Sequence, residues 1–383
     1  MAYPPLVPPG PDLTGEQRAR YARHLSLPEI GVEGQRRLCH ARVLLVGAGG
    51  LGSPALLYLA AAGIGTLGII DDDVVSESNL HRQVVHGVAD VGVAKTISAA
   101  QAVARLDPTI TVVQHRLRLQ EDNAVDLLRD YDLVLDGADN FTTRYLINDA
   151  CVRLGTPHVW GSVLRFDGQV SVWWPGVGPC LRCVFPAPPP AGSVASCAVA
   201  GVLGSVCAAV ASAQVTEAIK LLCGIGDPLV GRLLMVDALG QRSDELIVKR
   251  NPNCPVCRPG LDLGPVIAET GCDAIEPDRG AASILTAPEL AGLLARGEVT
   301  LIDVREPDER AATAIAGSIH VPLDAVRNGW RPSQAGTIVV HCASGIRSAE
   351  AARLLSDRGV TVADLAGGIL GWVDAGFPVH AVN

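Results

Sequence analysis

ARVLLVGAGGLGS, residues 41–53, decides the fold. The apolar β-formers Val43 to Val46 run straight into Gly47-Ala48-Gly49-Gly50-Leu51-Gly52. That G-x-G-x-x-G spacing belongs to a strand–turn–helix that offers backbone N–H groups and a helix N-terminus to phosphates. An acid, Asp71, closes the next apolar run, LGII, where a dinucleotide-binding sheet keeps its ribose-binding carboxylate. NAD is one reading of the loop and a nucleoside triphosphate is another; residues further along have to separate them.

Outward from the loop, apolar runs alternate with helical patterns to about residue 160: VLLVGA, a helix in SPALLYLAAAG, TLGIID, a helix around AKTISAAQAVARL, TITVVQH, a helix in AVDLLRD, then YDLVLDGAD. This predicts an α/β, doubly wound, Rossmann-like domain with a mostly parallel sheet. TPHVWGSV and QVSVWWPG read as further strands, one a candidate for antiparallel pairing. The breaker segment FPAPPPAGS, 185–193, predicts an irregular loop. AVAGVLGSVCAAVASA, 198–213, is too short and too rich in Gly and Ser to span a bilayer; continued through QVTEAIKLL, it predicts a buried small-residue helix. After the CPVC at 254–257 the periodicity is lost, so 258–282 reads as a linker. A second α/β pattern follows, with TAPELAGLLARG and SAEAARLLSDRG as helices and VTLIDVR and IVVHCA as strands. The predicted organisation is a domain over 1–257 and a smaller one over 283–383.

With 383 residues, 48% hydrophobic and 19% charged, the chain has ample material for two cores. A net charge of −9 argues against wholesale binding to nucleic acid or to an anionic membrane. The N-terminal MAYPPLVPPGPDLTGEQRAR lacks the apolar segment of a signal peptide, and a cytoplasmic protein is expected. In that compartment eleven cysteines point to metal binding and thiol chemistry rather than disulfides.

Charged groups accumulate after the glycine loop. Asp71-Asp72-Asp73 leads into SNLHRQ, which supplies Asn79, Arg82 and Gln83; Lys95 opens a helix, and Asp139 with Asn140 closes LVLDGADN. Two cations and a separate acid suit a triphosphate with Mg²⁺ better than NAD, because the cations balance phosphate charge while a carboxylate holds the hard metal. The plainer alternative makes Arg82 and Lys95 solvated surface charges and Asp139 a helix cap.

The cysteines divide by context. Cys180-x-x-Cys183 and Cys254-x-x-Cys257 supply four thiolates for closed tetrahedral zinc; a redox pair is the rival, without a thioredoxin-like context to support it. Cys197 lies between the proline-rich loop and the small-residue helix, where a helix N-terminus favours thiolate. The alternative is a small packed hydrophobe, as expected for Cys207 and Cys223. Cys39, Cys151 and Cys272 read as structural or incidental. In IVVHCASGIRSAE, Cys342 follows a strand and precedes a helix, with Gly345 and Arg347 inside the loop. Loop N–H groups, the helix dipole and Arg347 would stabilise an anionic sulfur. Four residues separate Cys342 from Arg347, one fewer than in the C-x5-R phosphatase loop, making a smaller cradle suited to sulfane sulfur.

GAGGLG, the acid at 71, SNLHRQ, Lys95 and LDGADN occur in the order found in E1-like adenylating enzymes of the molybdopterin-synthase sulfurylase type, which residues 10–257 resemble. The resemblance implies that ATP activates the C-terminal glycine carboxylate of a ubiquitin-fold sulfur-carrier protein as an acyl-adenylate. Carried over by motif, Gly50 lies in the phosphate loop, Asp71 binds ribose, Asn79, Arg82 and Lys95 contact phosphates, and Asp139 holds Mg²⁺. Arg23 in RYARH matches an arginine that reaches the neighbouring subunit's ATP, implying a homodimer; Cys197 matches a cysteine that attacks the adenylate or forms a transient disulfide. LIDVREPDER, AGSIHVPL and LAGGILGW around the Cys342 loop resemble a rhodanese domain over 283–383, with Asp303 and Arg305 as buttresses. Together these imply that a Cys342 persulfide, loaded by an outside donor such as a cysteine desulfurase or thiosulfate, converts the adenylate into a carrier thiocarboxylate. Ubiquitin-type activation through a Cys197 thioester with a regulatory rhodanese domain is an alternative, as is a carrier-docking scaffold without turnover. Whether the carrier serves molybdopterin, cysteine, thiamine or tRNA thiolation stays open.

Overall fold

A computed structural model describes residues 3–189, 201–258, 260–261, 266, 283–332 and 336–381. Cys197 and Cys272, and most of the expected linker, lie outside these residues. The chain forms two compact units, Met1–Asp273 and Ala274–Asn383.

Three short helices open the first unit: α1 (Gly15–Arg20), α2 (Ala22–Leu25) and α3 (Gly31–His40). Then come β1 (Arg42–Val46), α4 (Gly52–Ala62), β2 (Thr66–Ile70), α5 (Lys95–Leu106), β3 (Thr111–His115), α6 (Ala124–Leu128), β4 (Leu133–Asp136) and α7 (Phe141–Leu154). The unit is completed by β5 (His158–Leu164), β6 (Asp167–Trp173), α8 (Leu181–Val184), α9 (Gly204–Cys223), β7 (Arg232–Asp237) and β8 (Arg242–Ile247). Strand order is β3-β2-β1-β4-β5-β6-β7-β8, parallel through β5 and antiparallel beyond it. The parallel strands read as continuous apolar runs because both faces are covered. Val43 and Leu45 pack with Leu56, Leu59 and Val210 of α4 and α9. Leu44 and Val46 pack with Leu128, Leu146 and Ile147 of α6 and α7.

The small-residue helix begins at Gly204 rather than near 198. Gly201 takes a φ of +76° and Val202 bridges Arg165, so the backbone there is not helical. Although α9 is long and apolar enough to cross a membrane, it lies in the core of this unit, with Val206, Val210, Ala218 and Leu222 buried. Val266, inside the expected linker, is also buried, in the cluster that holds Leu119 and Leu128.

The second unit contains β9 (Ser283–Leu285), α10 (Ala287–Arg296), β10 (Val299–Asp303), α11 (Pro307–Ala312), β11 (Ile319–His320), α12 (Leu323–Arg327), β12 (Thr337–His341), α13 (Ile346–Ser356), β13 (Val362–Leu365) and α14 (Gly368–Asp374). Its five-stranded sheet is parallel, in the order β11-β10-β12-β13-β9. Asp303 and Arg305 are buried and joined by two bonds of 2.7 and 3.0 Å, and Arg305 also donates to the Thr313 carbonyl. Burial pushes the Asp303 carboxyl up, but Arg305 and the neighbouring His341 outweigh it and hold it below the ordinary range.

Candidate functional site

In the first unit the chain reverses direction across the sheet between β1 and β4. Helices from the two strands leave on opposite faces there, and the crevice outside the carboxyl ends is where open α/β sheets bind ligands. A cavity of about 310 Å³ lies there. Gly47, Gly49 and Gly50 line it from β1, Asp71 and Asp73 from β2, and Gly137 to Asn140 from β4. The glycines are steric requirements. Gly47 has a φ of +89°, and a Cβ on Gly52 would fall 1.8 Å from the Gly47 carbonyl oxygen, so only a bare backbone lets α4 start this close to the strand.

Asp71 accepts N–H bonds from Ala48 at 2.8 Å and Asp73 at 2.9 Å, which pins the glycine loop to the carboxylate. Burial pushes its carboxyl up, and the Lys95 charge opposes this. Lys95 is 6% exposed and reaches Asp73 Oδ2 at 2.8 Å; Arg82 is half-buried and lines the cavity, its guanidinium near Ser78 O and His81 Nε2. Lys95 is not a solvated surface charge, whereas Arg82 is only partly buried and makes both of these bonds at the surface. The cap of α7 is Asn140, whose side chain accepts from the Thr143 N–H at 2.8 Å. Asp139 therefore stays exposed at the cavity wall, not consumed as a cap.

Two expected residues are not among those lining this cavity. Asn79 accepts from the Ser76 N–H within its 3-10 turn, and Arg23 is exposed on α2. Sequence reasoning missed Arg144 and gave Gln83 no role. Arg144 is buried beside the cavity, donates twice to the Ala138 carbonyl and once to Ser162, and so braces the loop carrying Asp139. Gln83 is 4% exposed and lines the cavity. Cys207 packs in the core as expected, yet its Sγ also borders the cavity near Gly50.

The four paired cysteines converge. Cys180 caps α8, Cys183 lies on it, and Cys254 and Cys257 come from the loop after β8. Their sulfurs all lie within 4.8 Å, with separations of 3.9, 3.6 and 3.3 Å for 180–183, 180–254 and 183–257. A disulfide needs about 2.05 Å, whereas a tetrahedron with ~2.3 Å metal–sulfur bonds spaces its sulfurs by about 3.8 Å. The cluster fits a metal ion. The other described cysteines differ: burial pushes Cys151 well above the thiol range and Cys223 up to about 11, while Cys39 is half-buried and raised mainly by burial.

In the second unit Cys342 follows β12 and is 1% exposed. Gly345, at φ +100°, turns its N–H toward Cys342 Sγ at 3.1 Å, and the Ser348 hydroxyl is 3.5 Å from the same sulfur. LAGGILGW seats the loop from below: Ile369 N–H donates to the Cys342 carbonyl at 2.8 Å, and a Cβ on Gly368 would come within 2.5 Å of that oxygen. Arg347 is held by Glu309 through two bonds of 2.6 and 2.7 Å. That pairing chiefly raises its own pKa, with Cys342 contributing. Glu309 was not singled out from the sequence.

A phosphate-accepting loop with acids and cations at a sheet switch point, carried with a cysteine cradled by backbone N–H, defines a nucleotide-using enzyme joined to a thiol domain. The chain belongs to the ThiF family, whose model matches residues 21–256, and a rhodanese-like domain matches 286–375. It is 49% identical over 380 residues to the probable adenylyltransferase/sulfurtransferase MoeZ of Mycobacterium tuberculosis, covering 97% of this chain and 96% of that one. Identity to the adenylyltransferase and sulfurtransferase MOCS3 of Mus musculus is 40% over 419 residues, covering 98% and 90%. A sulfur carrier protein adenylyltransferase of Thermus thermophilus is 51% identical over 249 residues, 64% of this chain and 92% of its own. The E. coli MccB structure with ATP shares the fold at a TM-score of 0.56 and 22% identity, covering 64% and 76%. The protein is an adenylyltransferase and sulfurtransferase, and adenylyl transfer implies the use of ATP.

Proposed function

We propose that the protein adenylates the C-terminal glycine of a ubiquitin-fold sulfur-carrier protein and converts it to a thiocarboxylate with sulfur carried on Cys342. The observation that carries this reading is one chain holding both a cavity walled by Asp71, Arg82, Lys95 and Asp139 and a cradled thiol at Cys342. In the first step a carboxylate oxygen of the carrier attacks the α-phosphorus of ATP and pyrophosphate leaves. Arg82 and Lys95 balance phosphate charge, Asp71 orients the ribose, and the N–H groups around Gly50 face the phosphates. Asp139 would hold Mg²⁺, which neutralises phosphate charge when bound.

In the second step the outer sulfur of a Cys342 persulfide attacks the acyl carbon, and the acyl–oxygen bond breaks with the electron pair leaving on AMP. The product is a carrier–Cys342 acyl disulfide; the thiolate of a second cysteine, for which Cys197 is the candidate, attacks Cys342 Sγ, forming a Cys197–Cys342 disulfide as the carrier thiocarboxylate leaves with the electron pair, and an external dithiol reductant returns both cysteines to thiols. The persulfide is loaded by an outside donor, a cysteine desulfurase or thiosulfate. Zinc is the metal suited to the Cys180, Cys183, Cys254 and Cys257 cluster, a closed set with structural use. Arg23, exposed away from its own chain's cavity, suits a homodimer in which it serves the partner's nucleotide, and the cytoplasm is the compartment that fits free thiols. ATP–pyrophosphate exchange tests the reading: exchange dependent on an added sulfur-carrier protein is expected, and no exchange with any such carrier would contradict it.

A further inference from the structure

Arg347, the cation of the Cys342 loop, is neutralised by an acid from another element. Its Nη1 and Nη2 donate to the two carboxylate oxygens of Glu309 at 2.6 and 2.7 Å, while Cys342 Sγ is met by neutral groups, the Gly345 N–H and the Ser348 hydroxyl. Arg347 follows Gly345 by two residues and so belongs to the turn that a sulfur donor approaches. Its pKa is raised first by Glu309 and further by the Cys342 charge, which sets the three groups within one another's field. Glu309 is itself fixed on α11: its Oε2 also accepts the Glu306 N–H at 3.1 Å, and its backbone carbonyl accepts from Arg305 at 3.3 Å. The pair is partly open to solvent, at 27% for Arg347 and 32% for Glu309.

Other charges of this unit are committed to other partners. Asp303 holds Arg305 and Arg310, and Glu350 holds Arg327. Asp364, whose carboxyl burial pushes up to about 6, is enclosed on β13 at 9% exposure.

We propose that Glu309 sets the class of sulfur donor: by neutralising Arg347 it withholds the loop's cation from a small dianion such as thiosulfate and leaves the sulfur to an alkyl persulfide, the class that a cysteine of another protein presents. The proposal rests on the reading of Cys342 as the sulfur-carrying thiol. A dianion arriving at the loop meets a pair of net charge zero. To gain Arg347 it must break a bidentate, charge-assisted contact and leave the Glu309 carboxylate unpaired beside it. A persulfide carries at most one charge and needs no cation. The Cys342 thiolate attacks its outer sulfur, which keeps its hydrogen; a new S–S bond forms, the donor's S–S bond breaks, and the electron pair stays on the donor's inner sulfur as a thiolate. Glu309 acts through Arg347 and is a specificity-determining residue.

The test uses the full, reduced chain and two reagents of nearly the same shape, anionic iodoacetate and neutral iodoacetamide, with labelling of the Cys342 peptide quantified by mass spectrometry. The same thiolate attacks both, so the ratio of the two rates cancels any change in thiol ionisation and reads the charge at the loop. Glu309→Gln, which frees Arg347, should raise the iodoacetate-to-iodoacetamide ratio by about fivefold or more, and Arg347→Gln, which leaves Glu309 unpaired, should lower it by a similar factor. Glu309→Asp, which keeps the charge, should stay close to the wild type. If Glu309 only holds the shape of the loop, Glu309→Gln and Arg347→Gln move the ratio in the same direction or leave it where it was, and either result overturns the proposal. Sulfur loading is then read as the mass gain of one sulfur on Cys342, from thiosulfate and from mercaptoethanol persulfide. Glu309→Gln should speed loading from thiosulfate relative to the persulfide by about fivefold; an unchanged relative rate overturns donor selection. Because alkylation needs no sulfur donor, opposite shifts in a protein that takes no sulfur at Cys342 would keep the charge screen and reject the sulfur reading.

Discussion

Both units pair a cation with an acid beside their candidate site, and they do it differently. Lys95 keeps only 7% of its side chain exposed while its partner Asp73 is 69% exposed, so an incoming phosphate can replace the carboxylate at a buried cation without disturbing the fold. Arg347 and Glu309 hold each other by two bonds at similar partial exposure, and the sulfur is met instead by neutral donors, the Gly345 N–H and the Ser348 hydroxyl. On the proposed reading the first site takes a large polyanion and responds to the removal of charge. The second is built around a single atom, the Cys342 sulfur.

The sharpest way to break this contrast is Asp139→Ala. Carrier-dependent pyrophosphate exchange should fall by about 10²-fold or more, on the scale of losing a group that stabilises transition-state charge, while iodoacetamide labelling of Cys342 is unchanged. Near-normal exchange would show the exposed acid to be uninvolved. A smaller effect is expected from the metal cluster: metal analysis should find about one zinc per chain, and Cys254→Ser should lose it and lower the melting of the first unit alone, read by calorimetry as the earlier of two transitions. The smallest effect belongs to Asp364. Its folded pKa is raised, so the stability it contributes is fully present below about pH 4 and is lost as pH rises through about 6. Asp364→Asn should therefore match the wild type at pH 4 and exceed it above pH 7, by on the order of 2–3 kcal/mol at most for a shift of about two units. A variant less stable than the wild type at pH 7.5 would contradict a strained buried carboxylate.

Local signals carried much of this architecture. The glycine loop, the apolar parallel strands and the paired CxxC spacings are short-range patterns with one physical meaning each, and residues 41–53 and the four cysteines read directly. What went unread lacked such patterns. The helix α7, FTTRYLINDACVRL, is buried over most of its surface, from Thr143 to Cys151, and so shows no amphipathic stripe. The strand β8 is exposed along its whole length, leaving no alternation to detect. A capping box at Thr14 and Gln17 would have announced α1. Arg144 and Glu309 owe their places to contacts across 18 and 38 positions, with Ser162 and Arg347 respectively; no spacing rule reaches that far. The cap at Asn140 was locally available, since an Asn before a helix is a standard N-cap, and noticing it would have freed Asp139 from the plainer reading at once.

The central claim is that sulfur reaches the carrier through Cys342 after an adenylation that does not need it. The direct measurement is mass spectrometry of the carrier after incubation with ATP and an isotopically labelled sulfane-sulfur donor, free sulfide being excluded, with wild type and Cys342→Ser compared and acyl-adenylate followed in parallel. Wild type should place labelled sulfur at the carrier's C-terminus. Cys342→Ser should form adenylate at close to the normal rate while thiocarboxylate falls by orders of magnitude, with partial recovery when free sulfide is added. Normal labelled thiocarboxylate from Cys342→Ser would contradict the account.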